Sequence, residues 1–95
     1  MRDPKLTDAA VQAALALRSG WSMHNGMIVR TFAFANFVAA LRFVNAIAEA
    51  AEAADHHPDI DIRYNKVTLA LTTHDSGGLT EKDFALAAQA DTLAA

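Results

Sequence analysis

Two runs of strict two-residue alternation, separated by Asn65-Lys66, constrain this chain more than any other feature. Ile60, Ile62 and Tyr64 alternate with Asp59, Asp61 and Arg63; Val67, Leu69, Leu71 and Thr73 alternate with Thr68, Ala70 and Thr72. Period-two alternation marks a half-buried strand, and two such runs across a short polar turn form a hairpin. A second hairpin lies upstream. Trp21 to Asn25 reads as a short strand, Asn25-Gly26 as a tight turn and Ile28 to Phe34 as the returning strand. Ile28, Phe32 and Phe34 share a face that Arg30 interrupts.

Three helical segments surround the hairpins. Thr7 is an N-cap with Asp8 in the first turn, which predicts a helix over about 8–18 stopped by a left-handed Gly20. Phe37, Leu41, Val44, Ala48 and Ala51 recur at helical spacing, with Ala40, Phe43 and Ile47 widening the stripe, so a helix is expected over about 36–54. Pro58 marks its latest end. Thr80 caps a last helix reaching about Leu93, with Asp83 a shortened capping-box partner and Leu79 and Phe84 at the staple positions. The order helix, strand, strand, helix, strand, strand, helix implies an α+β two-layer sandwich. A four-stranded antiparallel sheet is covered by helices on one face. One domain over 1–95 is expected.

Composition excludes several classes. The chain has no cysteine, which removes disulfides, zinc–thiolate sites and cysteine nucleophiles. Met1 is followed by Arg2, Asp3, Pro4 and Lys5, unlike a signal peptide, so a cytoplasmic protein is expected. The apolar stretch between Arg30 and Arg42 is too short for a membrane span. Net charge is −3 and the basic residues are scattered singly, which gives no footprint for nucleic acid. So small a domain has a thin stability margin, which favours association of copies.

A hairpin turning at Asn65-Lys66 pairs Tyr64 with Val67, Ile62 with Leu69 and Ile60 with Leu71, so every apolar residue meets another. Continued outward, that register sets His57 opposite His74, with Cβ atoms about 4.5–5.5 Å apart. His56 is adjacent at the helix exit. Taken singly, each histidine reads as a solvated residue or a partner of the helix C-terminus. Three converging, flanked by Glu52, Asp55 and Asp75, read as a site. Imidazoles there suit proton transfer near neutral pH, and a His/His/carboxylate set equally suits a metal. Spacing does not separate the two. His24, near the turn of the other hairpin, reads as surface, and Trp21 as a core or sheet-edge anchor.

These residues resemble the pterin-4a-carbinolamine dehydratase family. The resemblance rests on Glu52, His56-His57-Pro58, Tyr64-Asn65-Lys66-Val67, Thr73-His74-Asp75, Gly78-Leu79-Thr80 and Asp83, with Gly20-Trp21 and Phe32 to Phe37 upstream. Ala35 and Ala90 depart from the family pattern at positions of capping and packing. The resemblance implies a lyase that dehydrates a 4a-hydroxytetrahydropterin to quinonoid dihydropterin, which a reductase recycles. It implies catalytic roles for His56, His57 and His74. Asp55, Thr72, Thr73 and Asp75 would hydrogen-bond the pterin, and Glu52, one turn before His56, would orient it. It further implies a homodimer or homotetramer. Losing water needs proton transfer only, so neither metal nor cofactor is expected. Two other readings stand beside this one. One is an interaction module using the helix from Phe37 to Ala51, as some relatives bind a transcription factor's dimerisation segment. The other is a metal-binding enzyme.

Overall fold

The computed structural model describes residues 3–95. The elements run α1 Asp8–Ala16, β1 Ser22–His24, β2 Met27–Ala33, α2 Phe37–Ala54, β3 Asp59–Arg63, β4 Lys66–Leu71, a single 3-10 turn His74–Ser76, and α3 Glu81–Ala94. The strands form one antiparallel sheet in the order β1-β2-β4-β3. The expected αββαββα sandwich is the fold observed, with β2 and β4 at the centre of the sheet. The Asn25-Gly26 turn holds both residues at positive φ, 51° and 78°, as a tight hairpin turn between twisted strands requires.

The core forms between the sheet and the helices. Ile28 and Phe32 lie opposite Leu71 and Val67 on one sheet face, and all four are buried. Phe43 of α2 stacks at 4.9 Å from Phe32 and 5.0 Å from Phe34. Leu79, Leu86, Ala87 and Ala90 complete the cluster from α3 and its approach. Arg30 shares the core face, being opposite Leu69. Its guanidinium lies over the Phe32 ring at 4.5 Å and donates to Asp91 Oδ1 at 2.7 Å. The same carboxylate accepts from Trp21 Nε1 at 2.9 Å and from Arg18 at 3.4 Å. Trp21 is buried, as an anchor for this corner.

Three details differ from the expectation. Helix α1 ends at Ala16, because Leu17 and Arg18 donate to Ala14 and Leu15, tightening the last turn to three-residue bonds. Gly20 takes φ 96° beyond that turn. Helix α2 is rotated from the expected stripe: Ala40, Phe43, Ile47 and Ala51 are buried, while Phe37 and Val38 are 45% and 55% exposed. Ringed by apolar residues, the helix turns toward the sheet the side that carries Phe43 and Ile47.

The second hairpin is the largest difference. Its turn is Tyr64-Asn65, with Tyr64 at φ 52°, and Arg63 lies opposite Lys66. Ile62 therefore faces Val67, and Ile60 faces Leu69. Asn65 is drawn to β2: its side chain donates to the Phe34 carbonyl at 2.8 Å, and its carbonyl accepts from Phe34 N–H at 2.9 Å. The shift is two residues. It leaves each side chain on the expected face, so alternation alone permits either register.

Candidate active site

The ends of β3, β4 and α2 bring the histidines to one end of the sheet. Helix α2 closes on Asp55, which adopts the left-handed conformation (φ 50°), and His56 N–H returns to the Ala51 carbonyl at 3.0 Å. That reversal turns His56 inward and leaves His57 outside. Strand β3 begins two residues later, with Asp59 opposite Ala70. His57 is thus not in a ladder opposite His74. In the observed register Thr72 is the residue level with it, and His74 opens the 3-10 turn beyond β4.

His56 is buried, and its Nε2 lies 2.6 Å from Asp83 Oδ1. Asp83 is wholly buried in the first turn of α3. Its Oδ2 accepts from Thr80 N–H at 2.9 Å and from the Thr73 hydroxyl at 2.9 Å. Thr80 Oγ1 accepts from Lys82 N–H at 3.2 Å; because the one Thr73 hydroxyl proton goes to Asp83, Thr80 donates to Thr73 Oγ1, 2.8 Å away. The direction of the network follows: Lys82 to Thr80, Thr80 to Thr73, Thr73 to Asp83. With Oδ2 already accepting from two donors, the carboxylate acts as acceptor and Oδ1 takes Nε2–H of His56, the tautomer that leaves Nδ1 unprotonated in the neutral ring.

In the sequence Asp83 reads as a capping residue and as one position of the family motif, with no role toward His56. It is the pivot of the site, because one carboxylate caps α3 and holds His56. Helix spacing cannot reveal this, since the partner lies 27 residues away.

His57 is exposed, and its Nε2 contacts Glu52 Oε2 at 2.5 Å. Glu52 was expected to orient His56; it pairs with His57 instead. The helix stops at Ala54, and the left-handed Asp55 swings His56 into the core, away from the exposed Glu52. Thr73 is buried in the Asp83 network and so ties the residue before His74 to the support of His56. Its hydroxyl donates to Asp83 Oδ2 there. Thr72 is half-buried and donates to the Gly26 carbonyl at 3.4 Å. His74 and Asp75 are exposed in the 3-10 turn, and Asp55 is exposed at the helix end. His74 and Thr72 also stand in the wall of a cavity of about 720 Å³ that reaches the β1–β2 turn. Among the described residues, no three His, Asp or Glu side chains are grouped to hold a metal ion.

What this arrangement offers is two imidazoles, each hydrogen-bonded to a carboxylate, and a third on a 3-10 turn beside a cavity. Such groups exchange protons with a bound molecule at neutral pH.

Comparison with known proteins agrees with the motif. The sequence profile of the family described as pterin 4 alpha carbinolamine dehydratase matches residues 4–93. A Chloroflexus aurantiacus protein, provisionally named a pterin-4-alpha-carbinolamine dehydratase, is 63% identical over 90 residues, covering 95% of this chain and 97% of that one. A Picosynechococcus protein provisionally given the same name is 57% identical over 89 residues, covering 94% and 97%. The crystal structure of a transcriptional coactivator/pterin dehydratase from Brucella melitensis superposes with a TM-score of 0.92 at 34% identity, covering 96% of this chain and 99% of that one. A pterin dehydratase-like protein described as a RuBisCO assembly factor in the alpha-carboxysome superposes with a TM-score of 0.65 at 28% identity, covering 78% and 86%. The match runs almost from end to end, and the chain belongs to the pterin 4 alpha carbinolamine dehydratase family.

Proposed function

We propose that this protein dehydrates a 4a-hydroxytetrahydropterin to the quinonoid dihydropterin and water, with His56, His57 and His74 as the proton-transfer groups. The observation that carries the reading is the buried Asp83 carboxylate holding His56 by Nε2 at 2.6 Å, in one network with the residue before His74. The C4a hydroxyl leaves as water once protonated. The N5 lone pair forms the new N5=C4a bond, and the N5 proton passes to a base. One proton is delivered and one removed, so the site is restored at the end of each turnover. No electrons are exchanged and no Lewis acid is required, so we assign neither metal nor cofactor. We assign Asp55 and Asp75, both exposed, to accept from the ring's N–H groups, and Thr72 to hydrogen-bond its edge. A stopped-flow assay of carbinolamine dehydration tests the reading: acceleration over the spontaneous rate is expected, and its absence overturns it.

The reaction's place is the recycling of tetrahydropterin after an aromatic amino-acid hydroxylase has used it, in the cytoplasm. No helix among the described residues is long and apolar enough to cross a membrane. Strand β3 is a sheet edge whose Ile60 and Ile62 are 38% and 40% exposed, with Tyr64 of the following turn 67% exposed, and we assign this edge to contact between copies in a homo-oligomer. A second reading, that of an interaction module, is favoured by exposed Phe37 and Val38 at the start of α2. Two structurally similar proteins are described as a transcriptional coactivator/pterin dehydratase and as a RuBisCO assembly factor. Binding of that kind makes no demand on the His56–Asp83 pair, whereas dehydration does.

A further inference from the structure

We infer that residues 3–6, the segment leading into α1, are a strap that holds the His74 imidazole in place, fastened at Ser76 and Lys82. His74 is a working group only under the dehydratase reading, and the positioning role given to the strap rests on that reading.

The three histidines are held in different ways. His56 and His57 are each fixed by a carboxylate on the ring, Asp83 and Glu52. The exposed His74 ring has no hydrogen bond or ion pair among the described residues, so its place follows from the backbone that carries it. That backbone is a loop closed at its neck. Thr73 N–H donates to the Gly78 carbonyl at 3.2 Å, and Gly78 N–H to the Thr73 carbonyl at 3.3 Å. On the core side Thr73 and Thr80 are tied to Asp83. These bonds secure the neck and not the tip, residues 74–77, which holds His74 and the left-handed Gly77 (φ 76°). Loop tips fastened only at their ends open at low energy.

The strap reaches the tip from outside. The Ser76 hydroxyl donates to the Asp3 carbonyl, Leu6 N–H donates to the Leu79 carbonyl at 2.8 Å, and Lys82 Nζ pairs with the Asp3 carboxylate at 3.3 Å. The Lys5 stem lies along Gly78, near enough that a Cβ there would stand 2.7 Å from Lys5 Cε. The contacts thus run from the His74 turn itself to the first turn of α3. At its other end the strap is rooted in the fold: Leu6 packs on the core, Thr7 caps α1, and Val11 of that helix is buried. Asp3 Oδ2 is shielded from solvent, and Lys82 is the cation that meets it. A carboxylate oxygen kept from water is stable only while a partner faces it. Removing the Lys82 charge should therefore return Asp3 to solvent and lift the strap from the turn.

The test follows the full chain by NMR and by dehydration kinetics. Ser76→Ala removes the hydroxyl that fastens the turn. Lys82→Asp sets a carboxylate against Asp3, at a helix start where an acid is otherwise favourable. In both variants the His74 ring signals should shift or broaden while those of His24 stay as in wild type. KM should rise about twofold to tenfold, the loss of roughly one hydrogen bond, with kcat changed less. Asp3→Lys combined with Lys82→Asp should restore both readouts. In a His74→Ala background the same changes should leave KM where His74→Ala alone puts it, which a general loosening of the fold would not do. Unmoved His74 signals in both variants would overturn the inference. So would an unchanged KM in an active protein, or KM effects of equal size with and without the His74 ring. If wild type accelerates no carbinolamine, the dehydratase reading fails, and the ring signals still decide whether the strap holds His74.

Discussion

His56 and Asp83 lie 2.6 Å apart, with the carboxylate wholly buried and also bonded to Thr73 and Thr80. Removing one partner of a buried pair typically costs about 3–5 kcal/mol, so Asp83→Ala should sharply lower the urea midpoint. Asp83→Asn is the more informative change. Its NH2 must face one of the existing donors, and the cheapest escape is for His56 to shift its proton to Nδ1. A small loss of stability with a large loss of turnover is expected. Wild-type turnover in a folded Asp83→Asn protein would refute the positioning role.

For the histidines themselves, loss of a general acid or base slows turnover by about 10²–10⁴-fold. The spontaneous reaction caps the loss that can be observed. His56→Ala and His57→Ala should lower kcat most, and His74→Ala should raise KM at least as much as it lowers kcat. His56→Ala alone should also destabilise the fold, because only its ring is buried. His24→Ala is the control, since the ring is exposed on β1. Wild-type kinetics in all three folded site variants would remove these residues from the mechanism.

Metal dependence gives an independent check. Exhaustive dialysis against a chelator should leave the dehydration rate unchanged. Loss of activity that a single divalent ion restores would replace proton transfer by metal-assisted chemistry.

Asp91 should matter for stability and not for turnover. Asp91→Ala leaves the Trp21 N–H and the Arg30 guanidinium without their acceptor on the core side of the sheet. A buried unmet donor costs about 1–3 kcal/mol, discounted here because the carboxylate and Arg30 are 19% and 32% exposed. Chemical denaturation should show a lowered midpoint with kcat intact. An unchanged midpoint would mean that this corner is not held by the carboxylate.

Assembly can be read by light scattering. A mass several times the 10.2 kDa of one chain is expected, and Ile62→Lys on β3 should reduce it without unfolding the chain. A monomeric mass at every concentration would exclude the homo-oligomer.

Much of the fold was legible because its signals are local. Thr7 and Thr80 cap helices by short contacts to following amides, and Asn25-Gly26 turns within itself. What stayed hidden depends on distant partners. The register of the second hairpin is decided by Asn65 bonding to Phe34, a contact that the alternation of Ile60, Ile62, Val67 and Leu69 cannot register. The same holds at the site. That His56 and His57 precede β3 and that His74 follows β4 was readable from chain order, but the carboxylates that hold His56 and His57 were not. Glu52 attaches to His57 and not His56, because a single left-handed residue, Asp55, sends the two rings in opposite directions.

The double engagement of Asp83 ties the start of α3 to the placement of the His56 ring. The carboxylate that starts α3 also fixes the His56 ring, so the first turn of that helix and the poised imidazole are made and lost together. Fraying of a helix end is ordinarily harmless, a low-energy opening far below global unfolding. Here an opening confined to Thr80–Asp83 would free His56 to rotate while sheet and core stayed intact. Inactivation on heating should accordingly run ahead of melting, and amide exchange at the start of α3 should keep pace with it. If the proposed dehydration is this protein's activity, its working temperature is set by one helical turn rather than by the hydrophobic interior.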